Sequence, residues 1–443
     1  MTSAPPKPEP GEKVFRNFRW FICALLFVGT TINYMDRQIL ALLKPQLDHD
    51  LGWTDQQYGA VNSVFQFTYA FSYVVFGWLI DRYGVKLGYA ISMVGWSLAS
   101  AGHALAGSVR GFMAGRFALG ASEGGNFPAC IKAVTLWFPP GERAFAASLF
   151  NSGANIGPVL APLIVPALAG AYGWQAPFLV VGAAGLIWLI FWLWLYDAPE
   201  QSPRVAPAEL AHIGSGSNAQ SDAPGRVRWL GLFTHRQTWA IIWAKLLTDP
   251  INWFFLIWLP DLFKSTRHLD LKGSKQYLMA IYALAVVGSI FGGWFSGRLI
   301  KAGWSVTRAR KTTLLICAMC AVPIAFSLSF ENNWVLVGII GLYLAAHQAW
   351  SATLYAVTSD LFPKRAVAAM SGIGGMAGSA SGIVFPIFVG WLLDRYNVTA
   401  GGKTAGYTLI MGICSGAYLV AFAVNHLLAP RFEQTDLESP TSP

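Results

Sequence analysis

The chain predicts an all-α membrane protein of twelve spanning helices in two pseudo-symmetric six-helix halves. Three observations predict it. Hydrophobic residues make up 54% of the 443 positions and charged ones only 12%, about half the roughly 25% of a soluble domain. Apolar stretches of roughly 18–25 residues recur about twelve times, each long enough to cross a ~30 Å hydrocarbon core as a helix. One long polar interruption then divides them six and six. The 19 Trp and 29 Phe suit lipid-facing and interfacial positions.

In chain order, the expected spans are 19–43, 57–79, 87–108, 111–134, 144–169 and 175–196, followed by 238–262, 277–299, 312–330, 334–358, 366–393 and 405–428. The breaks are short and carry Gly, Pro or charge, as in Phe138-Pro139-Pro140-Gly141 and Phe362-Pro363-Lys364-Arg365. Residues 1–18 read as a polar, Pro-rich cytoplasmic tail without a cleavable leader. Residues 19–197 form the first bundle, 198–236 a flexible cytoplasmic linker rich in Pro, Ala, Ser and Gly, 237–429 the second bundle, and 430–443 a cytoplasmic tail.

The halves echo each other weakly. Leu136-Trp137-Phe138-Pro139 precedes the fifth span and Asp360-Leu361-Phe362-Pro363 the eleventh, each followed by a Gly-rich run. Parallel six-helix repeats with a site at their interface are a transporter architecture. The formal net charge of +9 follows topology rather than a nucleic-acid patch. Arg82, Lys86, Arg143, Arg226, Arg228, Arg308, Arg310, Lys311, Lys364 and Arg365 fall on one side, and the opposite loops are poorer in Lys and Arg. That bias predicts cytoplasmic termini. All five cysteines lie in apolar stretches. Cys317-x-x-Cys320 has redox or metal spacing, yet in an apolar helix it reads as small packing residues.

Charge inside the spans carries the chemistry. Asp36 and Arg37 sit in the first span, Arg116 and Glu123 in the fourth. Ionisable groups at bilayer depth are expensive and mark solute or proton paths. At 1.5 Å per residue, Asp36 lies about 25 Å from the start of its helix, Arg116 about 9 Å and Glu123 about 20 Å from the start of theirs. Seven residues apart, Arg116 and Glu123 share a helix face. A guanidinium takes a carboxylate through two parallel hydrogen bonds, which assigns the arginines to an anionic substrate and Asp36 and Glu123 to protons. The competing reading is a static network pinning the first span to the fourth.

Gly77, Asp81, Arg82, Gly84 and Lys86, in the turn after the second span, predict a gating element rather than an ordinary turn. Lys245 and Asp249 in the seventh span are i,i+4 neighbours that either neutralise each other or line a cavity. Pro250 predicts a kink there. In the tenth span His347, Gln348 and Ser351 offer hydrogen bonds to hydroxyls and Trp350 a flat apolar face. Helix packing by polar groups is the alternative. Tyr69, Asn151 and Asn155 lie at mid-depth and complete a candidate cavity lining. No metal-ligand cluster or nucleophile–base pair suggests an enzyme, and no cofactor is expected beyond a proton gradient.

At these residues the chain resembles the major facilitator superfamily, whose signature turn matches residues 77–86. Within it, Asn33-Tyr34-Met35-Asp36-Arg37, Ser122-Glu123 and Trp137-Phe138-Pro139-Pro140-Gly141-Glu142-Arg143 look like the anion:cation symporter family. That family includes proton-coupled sugar-acid carriers and vesicular glutamate transporters. Ala345-Ala346-His347-Gln348-Ala349-Trp350-Ser351-Ala352, with Thr248-Asp249-Pro250, is most like its hexuronate transporters, which take up glucuronate and galacturonate. The resemblance implies that Arg37 contacts the substrate carboxylate, that Asp36 and Glu123 take protons, and that Arg116 and Tyr69 serve coupling or the site. The expectation is a proton-driven secondary transporter of the bacterial inner membrane that imports a hexuronate and works as a monomer. A symporter for another organic anion (aldonate, aldarate or aromatic carboxylate) and a passive channel are the alternatives. Ala154 stands where galactonate carriers have Gln, a departure that argues against galactonate.

Overall fold

A computed structural model describes residues 17–214 and 229–435. The tail 1–16, the linker centre 215–228 and the tail beyond 435 lie outside the described residues, and with them most of the tail and linker expectations. All regular structure among the described residues is helical. The first half comprises α1 (Phe18–Leu51), α2 (Asp55–Tyr83), α3 (Val85–His103), α4 (Val109–Glu123), α5 (Asn126–Trp137), α6 (Pro140–Tyr172) and α7 (Gln175–Leu195). After the short α8 (Pro207–Gly214) and α9 (Trp229–Leu232), the second half holds α10 (Arg236–Arg267), α11 (Leu271–Lys301), α12 (Val306–Ala321), α13 (Asn333–Leu361), α14 (Lys364–Asn397) and α15 (Gly402–Leu428).

Ten of these helices are long and apolar enough to span a membrane. The other two crossings are α3 and the consecutive pair α4–α5. The fourth span was expected to be one helix, but it breaks at Gly124–Gly125, immediately after Glu123. The cause is close approach. A Cβ on Gly124 would stand 2.6 Å from Ser72 Oγ of α2, and one on Gly125 2.6 Å from Ser92 Oγ of α3. Those two hydroxyls donate to the carbonyls of Ala121 (2.6 Å) and Ser122 (2.5 Å) at the break. Irregular backbone inside a bundle persists only where protein groups satisfy it. Pro323 similarly turns the end of the ninth span into the 3₁₀ segment Val322–Ser329.

The linker is not a free tether along its whole length. Glu209 of α8 accepts the backbone N–H groups of Phe18 (2.8 Å) and Arg19 (3.0 Å), two otherwise orphaned donors at the start of α1. Arg19 bridges Glu209 and Glu142, and Ile213 is buried among first-half side chains. Although partial burial pushes the Glu142 carboxyl up, hydrogen bonds from Arg19 and His212 hold it below the usual carboxylate range.

The halves meet through α2 against α14, α6 against α11 and α1 against α10, and they close tightly at one end, that of the α1–α2 turn. There every residue from Asp36 to Lys44 is buried, as is every residue from Ile257 to Phe263, so an amphipathic helix becomes covered all round. Gly59 and Gly390 let α2 and α14 touch backbone to backbone, since a Cβ at either would stand 2.2–2.3 Å from a carbonyl oxygen of the other helix. Tyr58 donates to the carbonyl of Ile257 (2.9 Å), and Lys264 to that of Pro45 (2.7 Å).

Candidate functional site

A cavity of about 270 Å³ lies between the halves. Helical stripes line it. On α6 they are Asn151, Ala154, Asn155 and Pro158; on α10, Lys245, Asp249, Asn252, Trp253 and Leu256; on α13, Leu344, His347, Gln348, Ser351 and Tyr355. Spacings of three, four and seven put each set on one helix face. The structure therefore brings together Asn151, Asn155, Lys245, His347, Gln348 and Ser351. Gln348 Nε2 donates to Asn155 Oδ1 across the cavity (3.3 Å), joining the halves through two amides. His347 Nδ1 is bonded to the Tyr418 hydroxyl.

Trp350 departs from the expectation. It is fully buried, with its ring 5.4 Å from that of Tyr418, and does not line the cavity. Two positions beyond Gln348, it points about 200° round the helix. The alternation that brings 347, 348 and 351 to the cavity removes 350 from it.

Lys245 holds Asp249 at 3.2 Å, and its ammonium stands 4.8 Å from the centre of the Tyr355 ring. Both expected behaviours, neutralisation and cavity lining, hold at once. Gly378 of α14 leaves the room, because a Cβ there would lie 2.0 Å from Asp249 Oδ2.

The four charges singled out in the sequence sit behind the cavity wall, inside the first half. Arg37 Nε donates to Glu123 Oε2 at 2.7 Å, and both side chains are buried. The guanidinium is stacked among Tyr69 (4.5 Å), Tyr34 (4.7 Å) and Phe65 (5.2 Å). Its Nη2 has no hydrogen-bond partner. Tyr34 also lines the cavity, so one aromatic ring touches both the cavity and the ion pair. No role was expected of Tyr34 itself, although its place three residues before Arg37 puts it on the same helix face.

Asp36 projects elsewhere on α1. Its Oδ1 accepts from Ser100 of α3 (2.8 Å), and its Oδ2 has no partner. Arg116 stacks over Phe65 at 5.5 Å, and its Nε is likewise unpartnered. The four charges thus share one interior, but only Arg37 and Glu123 make an ion pair.

In the turn after α2, Gly84 adopts φ +87°, a left-handed conformation that favours glycine. Asp81 is bonded to Lys132 of α5 and Lys86 to Asp197 after α7 (2.8 Å). Arg82 stacks on Trp78 and Tyr83, and no neighbouring atom crowds the space beside Gly77. In the second half, Arg310 bonds Asp360 (2.9 Å) and Ser296 (2.8 Å).

Comparison with known proteins agrees with this architecture. The hexuronate transporter of Escherichia coli (strain K12) is 30% identical over 389 residues, covering 86% of this chain and 88% of the relative. The probable galactarate/D-glucarate transporter GudP of Bacillus subtilis (strain 168) is 30% identical over 424 residues, 91% of each chain. A bacterial homologue of the human lysosomal transporter Spinster, solved inward-facing and occupied, superposes with a TM-score of 0.75 at 17% identity, covering 94% of this chain and 98% of that one. The family described as the Major Facilitator Superfamily matches residues 26–386. The chain belongs to the Major Facilitator Superfamily and is a multi-pass membrane transporter, not an enzyme.

Proposed function

We propose that the protein imports a sugar acid, foremost a hexuronate such as glucuronate or galacturonate, together with protons, across a bacterial inner membrane by alternating access. The observation that carries this reading is the buried Arg37–Glu123 pair behind Tyr34. A guanidinium already held by a carboxylate cannot take a second one at full strength. If Glu123 accepts a proton, Arg37 loses its counterion and becomes available to a substrate carboxylate through its fork. If the substrate leaves, Glu123 must ionise again to avoid an unpaired buried cation. Anion and proton then enter the first half together, which is symport. Asp36, bonded to Ser100 alone, supplies a second proton position, and Arg116, an electrostatic neighbour of Asp36 and Glu123, responds to both.

The second half reads the rest of the ligand. Gln348, Ser351 and His347, with Asn151 and Asn155 opposite, offer donors and acceptors to hydroxyls. Tyr69 holds the Arg37 guanidinium in place. The α2–α3 junction, with Gly77, Asp81, Arg82, Gly84 and Lys86, serves gating, the 19–197 and 237–429 bundles rock against each other, and both termini are cytoplasmic. The protein acts as a monomer.

One observation favours a second reading. Lys245 adds a second cation, this one on the cavity wall itself, and the relative named for galactarate and D-glucarate is as similar as the one named for hexuronate. A dicarboxylate would use both cations.

Uptake of glucuronate, galacturonate, galactonate and glucarate into proteoliposomes tests both readings. Hexuronate accumulation driven by an inward proton gradient, and abolished by a protonophore, is expected. Accumulation of glucarate alone would transfer the assignment to the dicarboxylates, and protonophore-insensitive equilibration would replace the symporter with a passive channel.

A further inference from the structure

Away from the cavity, at the closed end, five charged side chains from both halves share one cluster, with Lys44, Asp55 and Asp261 buried and Asp48 and Lys403 part-exposed. Lys44 of α1 contacts Asp48 (2.7 Å) and Asp55 (2.7 Å) of its own half and Asp261 (3.1 Å) of α10 in the other. Lys403 of α15 reaches across to Asp55 (2.7 Å) and lies 4.0 Å from Asp261 of its own half. Tyr407 donates to Asp261 Oδ2 (2.6 Å). The three carboxylates lie close enough together to hold a cation, and the Lys44 ammonium sits against all of them.

Two kinds of pair are interleaved here. Lys44–Asp261 and Lys403–Asp55 cross between the halves. Lys44–Asp48, Lys44–Asp55 and Lys403–Asp261 stay within one half. Parting the halves breaks the first kind and leaves the second. Buried charges that lose every partner are strongly destabilising, so a latch of crosswise pairs alone would resist opening.

We propose that Lys44, Asp48, Asp55, Asp261 and Lys403 form a partner-exchanging latch, in which crosswise ion pairs close this end and pairs within each half take over when it opens. Asp394 completes the closure, accepting the backbone N–H groups of Asp55 (2.9 Å) and Gln56 (2.8 Å) at the start of α2. When the halves part, those N–H groups pass to water. Each half keeps its cation paired, so the end opens without stranding a charge. The inference rests on the alternating-access reading but not on which anion is carried.

Asp48 distinguishes this device from a simple lock: its pair with Lys44 lies within one half, so it survives opening and carries a larger share of the Lys44 charge once Asp261 has gone, which favours the open state. Spin labels at Gln57→Cys and Arg395→Cys, two exposed positions on opposite sides of the closure, report its opening by electron–electron distance measurement. The full chain is used in lipid nanodiscs without substrate, with the five native cysteines replaced by Ala. Asp261→Asn and Lys403→Gln each remove a crosswise partner and should raise the ratio of long to short distances by about tenfold, less than a fully buried pair would give because Lys403 is part-exposed. Adding Asp48→Asn to Lys403→Gln should move the ratio back toward the short distance. Lys403, part-exposed, keeps the test available if Asp261→Asn does not fold. An unchanged ratio in Lys403→Gln, or an Asp48→Asn addition that opens the end further, overturns the proposal. Addition of glucuronate or glucarate to the labelled wild type tests alternating access separately. A latch that responds to these variants while no candidate substrate shifts the distances would leave the latch standing and remove the substrate assignment.

Discussion

The two halves of this transporter keep their charge in different places. The first half buries Asp36, Arg37, Arg116 and Glu123 inside its own bundle, behind Tyr34. The second half puts Lys245, Asp249, His347, Gln348 and Ser351 directly on the cavity wall. Under the proposed symport, the difference teaches how one fold can handle two passengers. A proton carrier gains from a dry interior, where its charge state is strongly coupled to a neighbouring arginine. A reader of hydroxyls gains from a wetter wall, where amides and hydroxyls can exchange partners with a ligand.

The largest expected effect falls on the first half. Glu123→Gln removes the ionisable partner of Arg37, and Asp36→Asn removes the second proton position. Each should abolish proton-driven accumulation, with counterflow exchange surviving in one of them, since exchange need not cycle a free proton. Unchanged uphill uptake in both variants would dissolve the contrast between the halves.

Arg37→Lys comes next. Lys keeps the charge but lacks the fork, and it cannot hold the stacked geometry among Tyr34, Tyr69 and Phe65. Initial rates should fall severely with a raised KM. Near-normal affinity would remove Arg37 from the carboxylate site and hand that role to Lys245.

Gln348→Ala sharpens the other side of the comparison. The variant leaves Asn155 and the ligand hydroxyls short of a partner, so hexuronate binding should weaken by about 1–3 kcal/mol. A short carboxylate without hydroxyls should be affected much less. Equal weakening of every carboxylate would return the α13 motif to helix packing. Trp350→Phe, by contrast, should leave hexuronate affinity unchanged and lower only the thermal stability, because the indole packs on Tyr418. A selective loss of hexuronate binding would put Trp350 back in the site.

The smallest effect concerns α8, which fastens the linker to the first half. Glu142 is held below its ordinary value of 4.5, so its contribution is present above that value and is lost as pH falls through the lower, folded one. The pair is part-exposed, worth about 1 kcal/mol or less. Glu142→Gln should lower the hydrogen-exchange protection of 207–214 at neutral pH, and acid below 4.5 should do so in the wild type. Exchange insensitive to both would show that Glu209 alone holds α8.

Much of this was legible in the sequence. Apolar runs long enough to span, a polar division between six and six, and charges at membrane depth fix the twelve-helix class, because in lipid every backbone group must be satisfied within a helix. Spacing also carried the α13 stripe, where 347, 348 and 351 share a face, and it held the information that sends Trp350 away from the cavity. Chain order could not tell which acid Arg37 would take. Asp36 is its neighbour, yet consecutive residues on a helix diverge by about 100°, and Glu123 reaches Arg37 only because α1 packs against the broken fourth span. Nor could it join Lys44 to Asp261, or Asp55 to Lys403, which are distant in the chain and meet only where α1, α2, α10 and α15 converge. The sequence by itself determined how many times the chain crosses the membrane and which residues are too polar to face lipid, since both follow from transfer into hydrocarbon. Only tertiary structure decided which of those polar groups meet one another and which meet the cavity, because pairing depends on helix rotation and packing that no local pattern encodes.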